Sequence, residues 1–362
     1  KKEITSLLLV TDASIRTFGL TAPLEKLLAD EGIECIVYDK TVANPTTVNI
    51  AEALELYKEN NCEALIGFGG GSSIDCAKAA GARIARPGKE LSDMEGILKV
   101  GRKLPLLIAI PTTAGTGSET TLAAVITDAE TRHKYPINDF PLIPHYAVLD
   151  PEVTRSLPPS LTATTGMDAL THAVEAYIGR STTAGTRKDS IRAVQLIFKY
   201  IRTAYNDGND MRARKQMLYA AYLAGSAFTK SYVGYVHAVA HSLGGRYNTP
   251  HGLANAVLLP HVLEAYGESA AHKLCKLAVC AGLADADTPD DEGAAIFIEA
   301  IRQMKEDLNI PDVIPEIKEE DIPELARFAD KEANPLYPVP KLMNASELEK
   351  FYYCVMSLGQ AD

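Results

Sequence analysis

Short runs of consecutive apolar residues alternate with segments of helical spacing through the first 150 residues. These runs predict strands at residues 7–10, 33–38, 64–68, 105–110 and 147–149. Helical patterns at residues 23–31 and 50–60 separate the first three of these strands. Strands that are apolar along their whole length, with helices between them, are typical of a parallel sheet covered on both faces.

The character of the chain changes after Pro158 and Pro159. Later segments, such as residues 160–179, are rich in alanine and leucine at helical spacing, and we recognise no strand pattern beyond residue 158. The predicted fold class is therefore α/β, with an N-terminal doubly wound, mostly parallel, Rossmann-like sheet followed by an all-helical C-terminal domain. We predict domains at residues 1–157 and 158–362, and we expect ligands to bind in the cleft between them.

A run of glycines follows the third predicted strand and leads into a helix. Gly70, Gly71 and Ser72 lie at the start of this helix. Glycine lets the backbone approach an anion closely, and a helix N-terminus offers free N–H groups and a positive dipole end. The loop therefore predicts a phosphate or pyrophosphate site. It is neither Gly-x-Gly-x-x-Gly nor a Walker loop, and a tight turn without a ligand is the alternative.

A second loop of small and hydroxyl-bearing residues follows the fourth predicted strand. Residues 111–119 read Pro-Thr-Thr-Ala-Gly-Thr-Gly-Ser-Glu. Because the carboxyl ends of parallel strands meet at one sheet edge, two anion-type loops there indicate a dinucleotide. A carboxylate at a strand end can accept the ribose hydroxyls of NAD, and both Asp12 and Asp39 follow predicted strands. The residues alone leave this choice open, and either aspartate is also an ordinary cap or turn residue.

The helical region carries aspartate and histidine at spacings of four. Asp168 and His172 form one pair, His237 and His241 form another, and His251 follows. Residues four apart share a helix face, so two helices can present these side chains to one point. Asp168, His172, His237 and His251 form a donor set suited to a divalent first-row metal, which leaves His241 to carry a proton. The alternative is a buried, hydrogen-bonded Asp–His pair.

Composition and charge narrow the partners. The 362 residues are 46% hydrophobic and 23% charged, as expected for a globular protein, and the net charge of −11 argues against nucleic acid and anionic membrane as partners. Six scattered cysteines without a Cys-x-x-Cys pair predict a reduced, cytoplasmic setting. No apolar stretch approaches the roughly 20 residues of a membrane span, and no signal-peptide core follows Lys1.

Five motifs follow one another in fixed order along the chain, at residues 69–78, 111–119, 166–173, 237–244 and 250–261. They read Gly-Gly-Gly-Ser-x-x-Asp-x-Ala-Lys, Pro-Thr-Thr-Ala-Gly-Thr-Gly-Ser-Glu, Gly-Met-Asp-Ala-Leu-Thr-His-Ala, His-Ala-Val-Ala-His-Ser-Leu-Gly and Pro-His-Gly-x-x-Asn-Ala-x-Leu-Leu-Pro-His. Each motif alone is weakly specific, whereas the ordered set is specific. With this set the chain resembles the iron-containing, or group III, alcohol dehydrogenases over essentially its whole length.

The resemblance implies roles for individual residues. The family's metal ligands fall on Asp168, His172, His237 and His251. The implied metal is Fe(II), with Zn(II) as the alternative. The family's proton-transferring histidine falls on His241. The family's NAD-selecting aspartate falls on Asp12 rather than Asp39. The other implied cofactor contacts are Asn44, Gly70, Gly71, Ser72, Thr112, Thr113, Thr116 and Lys134. Family members are usually dimers or larger, so we expect a homodimer or higher homo-oligomer.

The predicted function is that of a metal-dependent alcohol dehydrogenase or aldehyde reductase. It would transfer a hydride between NAD(H) and a small primary alcohol or diol, or its aldehyde. The alternative on the same fold is a zinc-dependent glycerol dehydrogenase or a dehydroquinate-synthase-type lyase, which the motifs at residues 111–119 and 237–261 disfavour. A non-catalytic relative is a third hypothesis, but such a protein would not need an intact ligand set and two intact cofactor loops.

Overall fold

The computed structural model of this protein describes residues 4–357. The chain divides into two compact units, the first ending at Thr154 and the second beginning at Arg155. The strands described in the first unit are β1 (Ser6–Val10), β2 (Glu34–Tyr38), β3 (Ala64–Gly69), β4 (Gly96–Ile97), β5 (Leu106–Pro111), β6 (Ala123–Thr127), β7 (Lys134–Asn138) and β8 (Tyr146–Ala147). Its α-helices are α1 (Ala13–Thr17), α2 (Ala22–Asp30), α3 (Thr47–Glu59) and α4 (Gly71–Ala85).

Five of these strands form the main sheet, in the order β2-β1-β3-β5-β8, and every neighbouring pair is parallel. In this register Leu8 of β1 lies opposite Ile36 of β2 and Leu65 of β3. Both β1 and β3 are buried along their whole length, as expected when helices cover both faces of a sheet. The predicted parallel α/β architecture is confirmed.

Alternate side chains of a strand point to opposite faces, and this gives the sheet two apolar cores. Leu8 and Val10 belong to one core, to which α3 and α4 contribute. Leu7 and Leu9 belong to the other core, against which side chains of α1 and α2 pack. The packing on both faces fixes the carboxyl ends of the strands, where the loops to the helices begin.

A second, three-stranded sheet was not predicted from the sequence. Its order is β4-β7-β6, and β6 and β7 are antiparallel. Its central strand contains Pro136, which lacks a backbone N–H and argues against a central strand in sequence-based reasoning. The pairing resolves this conflict. Strand β4 pairs only with Ile137 and Asn138, so at Pro136 the strand β7 has a neighbour on the β6 side alone.

The described residues of the second unit form helices joined by loops, with one 3₁₀ helix and one isolated β-bridge. Its α-helices are α5 (Pro159–Ile178), α6 (Ala184–Asn206), α7 (Met211–Ser231), α8 (Tyr235–Tyr247), α9 (His251–Tyr266), α10 (Glu268–Cys280), α11 (Asp290–Asp307), α12 (Ile322–Ala333) and α13 (Ala345–Val355). Every residue from 166 to 179 is buried. A Cβ on Gly166 would lie 2.6 Å from Ile201 Cδ1, so α5 packs closely against α6 at this point.

The cysteines and the helix lengths bear on the environment of the chain. The free cysteines are Cys35, Cys62, Cys76, Cys275, Cys280 and Cys354. Burial raises the pKa of the Cys76 thiol to about 12, which makes this residue part of the core rather than a nucleophile. Between residues 4 and 357, no helix is both long and apolar enough to cross a membrane.

Candidate functional site

The aspartate and three histidines singled out from the sequence lie together in the helical unit. Asp168 and His172 come from α5, His237 comes from α8, and His251 is the first residue of α9. One candidate ligand atom from each of the four lies within 4.8 Å of the others. The first three are buried and His251 is partly exposed, so this cluster of carboxylate and imidazole groups has one accessible side.

The carboxylate of Asp168 is central to the cluster. Its Oδ1 lies 3.4 Å from His251 Nε2 and 3.9 Å from both His237 Nε2 and His172 Nδ1. Burial alone would raise the pKa of this carboxyl, but the histidines around it together hold its pKa well below the usual range. Burial lowers the pKa of His237 well below its ordinary value. An ionised aspartate and a neutral imidazole are the forms that bind a metal.

Asn255, on α9, tests whether this cluster fits a metal ion. Its amide nitrogen lies 2.8 Å from Asp168 Oδ1, 3.1 Å from His251 Nε2 and 3.2 Å from His237 Nε2. An amide has two hydrogens and cannot serve three such atoms at once. The cluster therefore concentrates more lone-pair atoms than Asn255 can satisfy with hydrogen bonds. One carboxylate oxygen with three imidazole nitrogens is a donor set for a divalent first-row metal.

His241 lies one helical turn after His237 and is exposed. Its ring stacks against that of His251, with centroids 5.2 Å apart. Its Nδ1 lies 2.7 Å from Glu332 Oε1, which also accepts a hydrogen bond of 2.7 Å from the Tyr337 hydroxyl. Reasoning from the sequence missed both Glu332 and Tyr337, because they lie far along the chain and no local spacing connects them to His241.

A further carboxylate that the sequence analysis missed lies beneath the cluster. Glu175 Oε2 is 2.6 Å from His237 Nδ1. Burial raises the pKa of the Glu175 carboxyl to about 7, although backbone N–H groups of α8 act in the opposite direction. A signal was present, since Glu175 continues the face of α5 that carries Asp168 and His172.

The glycine loop begins α4 at the carboxyl end of β3, and the threonine loop follows β5. A Cβ on Gly71 would lie 3.1 Å from the Thr116 side chain, and one on Gly70 would lie 3.7 Å from that of Thr113. Thr112 donates its N–H to Gly69 O over 3.0 Å. The absence of a side chain at Gly71 thus lets the helix start approach Thr116 closely, whereas the spacing at Gly70 is that of an ordinary van der Waals contact.

Three further predicted cofactor residues form a connected group. Asn44 donates its backbone N–H to Ser72 Oγ over 3.2 Å. Lys134, at the start of β7, donates to Asn44 Oδ1 over 2.7 Å. The backbone of Asn44 is left-handed, with φ of 56°, a conformation that asparagine tolerates better than most residues. These contacts hold Asn44 and Lys134 beside the helix start that Ser72 occupies.

Asp12 is the N-cap of α1. Its Oδ1 accepts the N–H groups of Ser14 and Ile15 over 2.9 and 3.0 Å. Its Oδ2 lies 3.7 Å from the position of a Cβ on Gly69, so this oxygen is close to the glycine loop. Asp12 therefore has the capping role considered from the sequence, and its second oxygen lies at the sheet edge where a dinucleotide is expected.

Two buried charged residues of α4 hold the segment that follows the threonine loop. Asp75 accepts from Ser118 Oγ over 2.6 Å and from the Val125 N–H over 3.0 Å. Lys78 donates to both oxygens of Thr121 over 2.9 Å and to Ala123 O over 2.8 Å. Burial lowers the pKa of Lys78 to about 8. Both residues belong to a motif recognised in the sequence, but no role had been assigned to them.

Comparison with known proteins gives consistent matches along both units. A family model described as "Iron-containing alcohol dehydrogenase" matches residues 1–151. A second, described as "Fe-containing alcohol dehydrogenase family, C-terminal", matches residues 162–355. Alcohol dehydrogenase 4 of Saccharomyces cerevisiae is 41% identical over 336 residues, which cover 92% of this chain and 86% of that protein.

Two further similarities cover comparable lengths. The NAD-dependent methanol dehydrogenase of Bacillus methanolicus is 37% identical over 324 residues, covering 89% of this chain and 85% of that protein. The crystal structure of a 1,3-propanediol oxidoreductase superposes with a TM-score of 0.93 at 36% identity, covering 97% of this chain and 92% of that one. Both the sequence and the fold thus match along nearly the whole chain.

Proposed function

This chain belongs to the iron-containing alcohol dehydrogenase family, and from that premise we propose that it transfers a hydride between NAD(H) and a small primary alcohol or diol, or the corresponding aldehyde. The observation that carries the proposal is the convergence of Asp168, His172, His237 and His251. The names of two relatives, an NAD-dependent methanol dehydrogenase and a 1,3-propanediol oxidoreductase, support the cofactor and the size of the substrate.

We assign cofactor binding to one of the two domains predicted from the sequence, and metal and substrate binding to the other. Residues 1–157 bind the dinucleotide, and residues 158–362 bind the metal and the substrate. In the first domain the pyrophosphate lies on Gly70, Gly71 and Ser72, where the N-terminus of α4 supplies N–H groups. The remaining contacts to the cofactor come from Asp12, Asn44, Thr112, Thr113, Thr116 and Lys134. Asp12 selects NAD, because a carboxylate accepts ribose hydroxyls and repels the extra phosphate of NADP.

The metal ligands are the four converging residues, and Fe(II) is the proposed ion, with Zn(II) as the alternative. When bound, such an ion supplies a Lewis acid for the oxygen of the alcohol or aldehyde. His241 exchanges the proton of the substrate hydroxyl. Because its Nδ1 contacts Glu332, we assign the proton transfer to Nε2. In alcohol oxidation Nε2 takes the proton, and in aldehyde reduction it returns the proton.

We propose a cytoplasmic location and a homodimer or higher homo-oligomer. The six free cysteines support a reducing compartment. The net charge of −11 disfavours nucleic acid and anionic membrane as partners, and we propose the small-molecule substrate and further copies of this chain instead.

The test is NADH oxidation with a panel of small aldehydes and ketones, on chelator-stripped protein to which Fe(II), Zn(II) or no metal is returned. We expect Fe(II) to restore activity best, with small aldehydes as the preferred substrates. Recovery with zinc alone, on ketones of vicinal diols, would indicate the glycerol-dehydrogenase type instead. Full activity without any metal would refute the assigned ligand set, and no redox activity under any condition would refute the proposed reaction.

A further inference from the structure

Glu175 is a buried carboxylate that the proposed reaction does not use directly. Its side chain is 1% exposed, and it lies on α5 one turn beyond His172. Three donors of the α8 segment surround it. Its Oε2 accepts the Gly234 N–H over 2.8 Å and lies 2.6 Å from His237 Nδ1, and its Oε1 accepts the Val236 N–H over 2.8 Å. Both oxygens are therefore engaged by one short stretch of chain.

These contacts determine which nitrogen of His237 carries the proton. Both oxygens of Glu175 already accept backbone N–H groups, so the side chain acts as an acceptor here and the imidazole donates to it through Nδ1. In a neutral ring this leaves a lone pair on Nε2, the atom that lies 3.9 Å from Asp168 Oδ1 and 3.2 Å from the Asn255 amide nitrogen. The contact with Glu175 thus directs the metal-binding lone pair of His237 toward the cluster.

The same carboxylate caps α8. Gly234 is the N-cap residue of this helix and has no side chain to accept the first free N–H groups. Glu175 takes this role from a neighbouring helix by accepting from Gly234 and Val236. A Cβ on Gly234 would lie 2.7 Å from Glu175 Oε1, so glycine at this position lets the carboxylate come close enough. The start of α8 and the ring of His237 are consequently held by one group.

We propose that Glu175 is the positioning residue of the metal site: it fixes His237 as the Nδ1–H tautomer and holds its ring so that Nε2 faces the other ligands. This inference rests on the proposed metal-binding role of His237. It also gives α5 a wider function than supplying Asp168 and His172. Glu175 follows them on the same helix face, so one helix carries two ligands and orients a third.

A purely structural hydrogen bond and a positioning role predict different results for Glu175→Gln. A glutamine side chain keeps the shape, and its oxygen still accepts a backbone N–H, but its nitrogen can only donate. In either orientation this nitrogen faces an N–H donor of the α8 segment, so glutamine cannot accept from Gly234, Val236 and His237 together. With the nitrogen toward His237 Nδ1, the ring becomes the Nε2–H tautomer, which has no lone pair for the metal. Loss of an outer partner of this kind typically weakens metal binding about 10–100-fold.

The first measurement is the dissociation constant for Zn²⁺, and separately Co²⁺, by competition with a chelating dye on the full chain. We expect Glu175→Gln to weaken binding about 10–100-fold. The matched control is Glu332→Gln, because Glu332 also contacts a histidine Nδ1 of α8, but that histidine, His241, is not an assigned ligand. The control is expected to keep the wild-type dissociation constant. Wild-type affinity in Glu175→Gln, or equal weakening in both variants, would overturn the inference.

A second measurement does not depend on a variant that folds. In ¹⁵N-histidine NMR spectra of the zinc-loaded wild-type chain, we expect the proton of His237 on Nδ1. A proton on Nε2 of this residue would overturn the inference. The two levels of the proposal remain separable. If the wild-type chain binds no metal, the proposed function fails. If the wild type binds metal and His251→Ala does not, but Glu175→Gln binds normally, only the role of Glu175 fails.

Discussion

The two candidate regions differ in the atoms that they offer to a ligand. The cofactor region offers backbone N–H groups, glycines and hydroxyls, and its buried Lys78 has matched partners. Lys78 has three ammonium hydrogens and three acceptors, two on Thr121 and one on Ala123. In the metal region, the two amide hydrogens of Asn255 face three nitrogen and oxygen atoms.

This difference separates two uses of buried ionisable groups. Buried polar groups are almost always hydrogen-bonded, so a matched cluster such as Asp75 and Lys78 serves the fold. A cluster with surplus lone pairs, such as Asp168 with its histidines, points to a ligand. Substitutions in the first cluster should therefore change stability, whereas substitutions in the second should change metal binding and turnover.

The largest expected effect is that of His251→Ala. Lewis-acid catalysis supplies several kcal/mol, and each factor of ten corresponds to about 1.4 kcal/mol, so we expect kcat/KM to fall at least about a thousandfold. Metal content should fall with it, while circular dichroism stays unchanged, because His251 is partly exposed. The control is His272→Ala, at an exposed histidine outside the cluster, and this variant should retain both metal and activity. A fully active, metal-loaded His251→Ala variant would remove the distinction between the two regions.

Lys78→Met tests the other side of the comparison. It leaves two backbone carbonyls without their donor and removes the cation that most lowers the pKa of Asp75, so we expect a loss of about 3 kcal/mol in the free energy of unfolding. Denaturant titration measures this change, and metal content at low denaturant should be unchanged. The exposed Lys58→Met is the control and should lie within about 0.5 kcal/mol of wild type. A Lys78→Met variant that is as stable as the wild type but loses metal would contradict the assignment of Lys78 to the stability of the fold.

His241→Ala distinguishes proton transfer from metal binding on one helix. We expect turnover to fall about a hundredfold or more, since general acid–base catalysis contributes roughly 10²–10⁴-fold. Metal content, measured by elemental analysis, should remain that of the wild type, in contrast to His251→Ala. Unchanged kcat would show that His241 moves no proton, and loss of metal would make it a ligand.

A considerable part of this picture was predictable from the sequence. Spacings of four on predicted helices brought Asp168, His172 and His237 together, and two apolar strands followed by glycine- and threonine-rich loops indicated one sheet edge. Glu332 was beyond reach, because its contact with His241 depends on how α12 packs against α8. The small sheet was missed because β4 has two residues and β7 contains a proline. Such features depend on tertiary contacts rather than on local pattern.

The smallest expected effect is that of Asp12→Gly on cofactor choice. Hydrogen bonds to a charged group contribute about 1.5–3 kcal/mol, so the preference for NAD over NADP should narrow about tenfold or more. Glycine is the suitable replacement, because it costs an N-cap only a few tenths of a kcal/mol. The ratio of kcat/KM values for the two cofactors measures the effect. Asp39→Gly is the matched control, and a change there with none at Asp12 would transfer the role to Asp39.

The most direct test of the division between the two regions is the binding of NADH to chelator-stripped protein, measured by fluorescence beside turnover in the same sample. We predict that NADH binds as tightly as it does to the metal-loaded protein, while aldehyde reduction is lost until Fe(II) is returned. Undiminished turnover in the stripped protein would contradict the assignment of Asp168, His172, His237 and His251 as ligands of a catalytic metal.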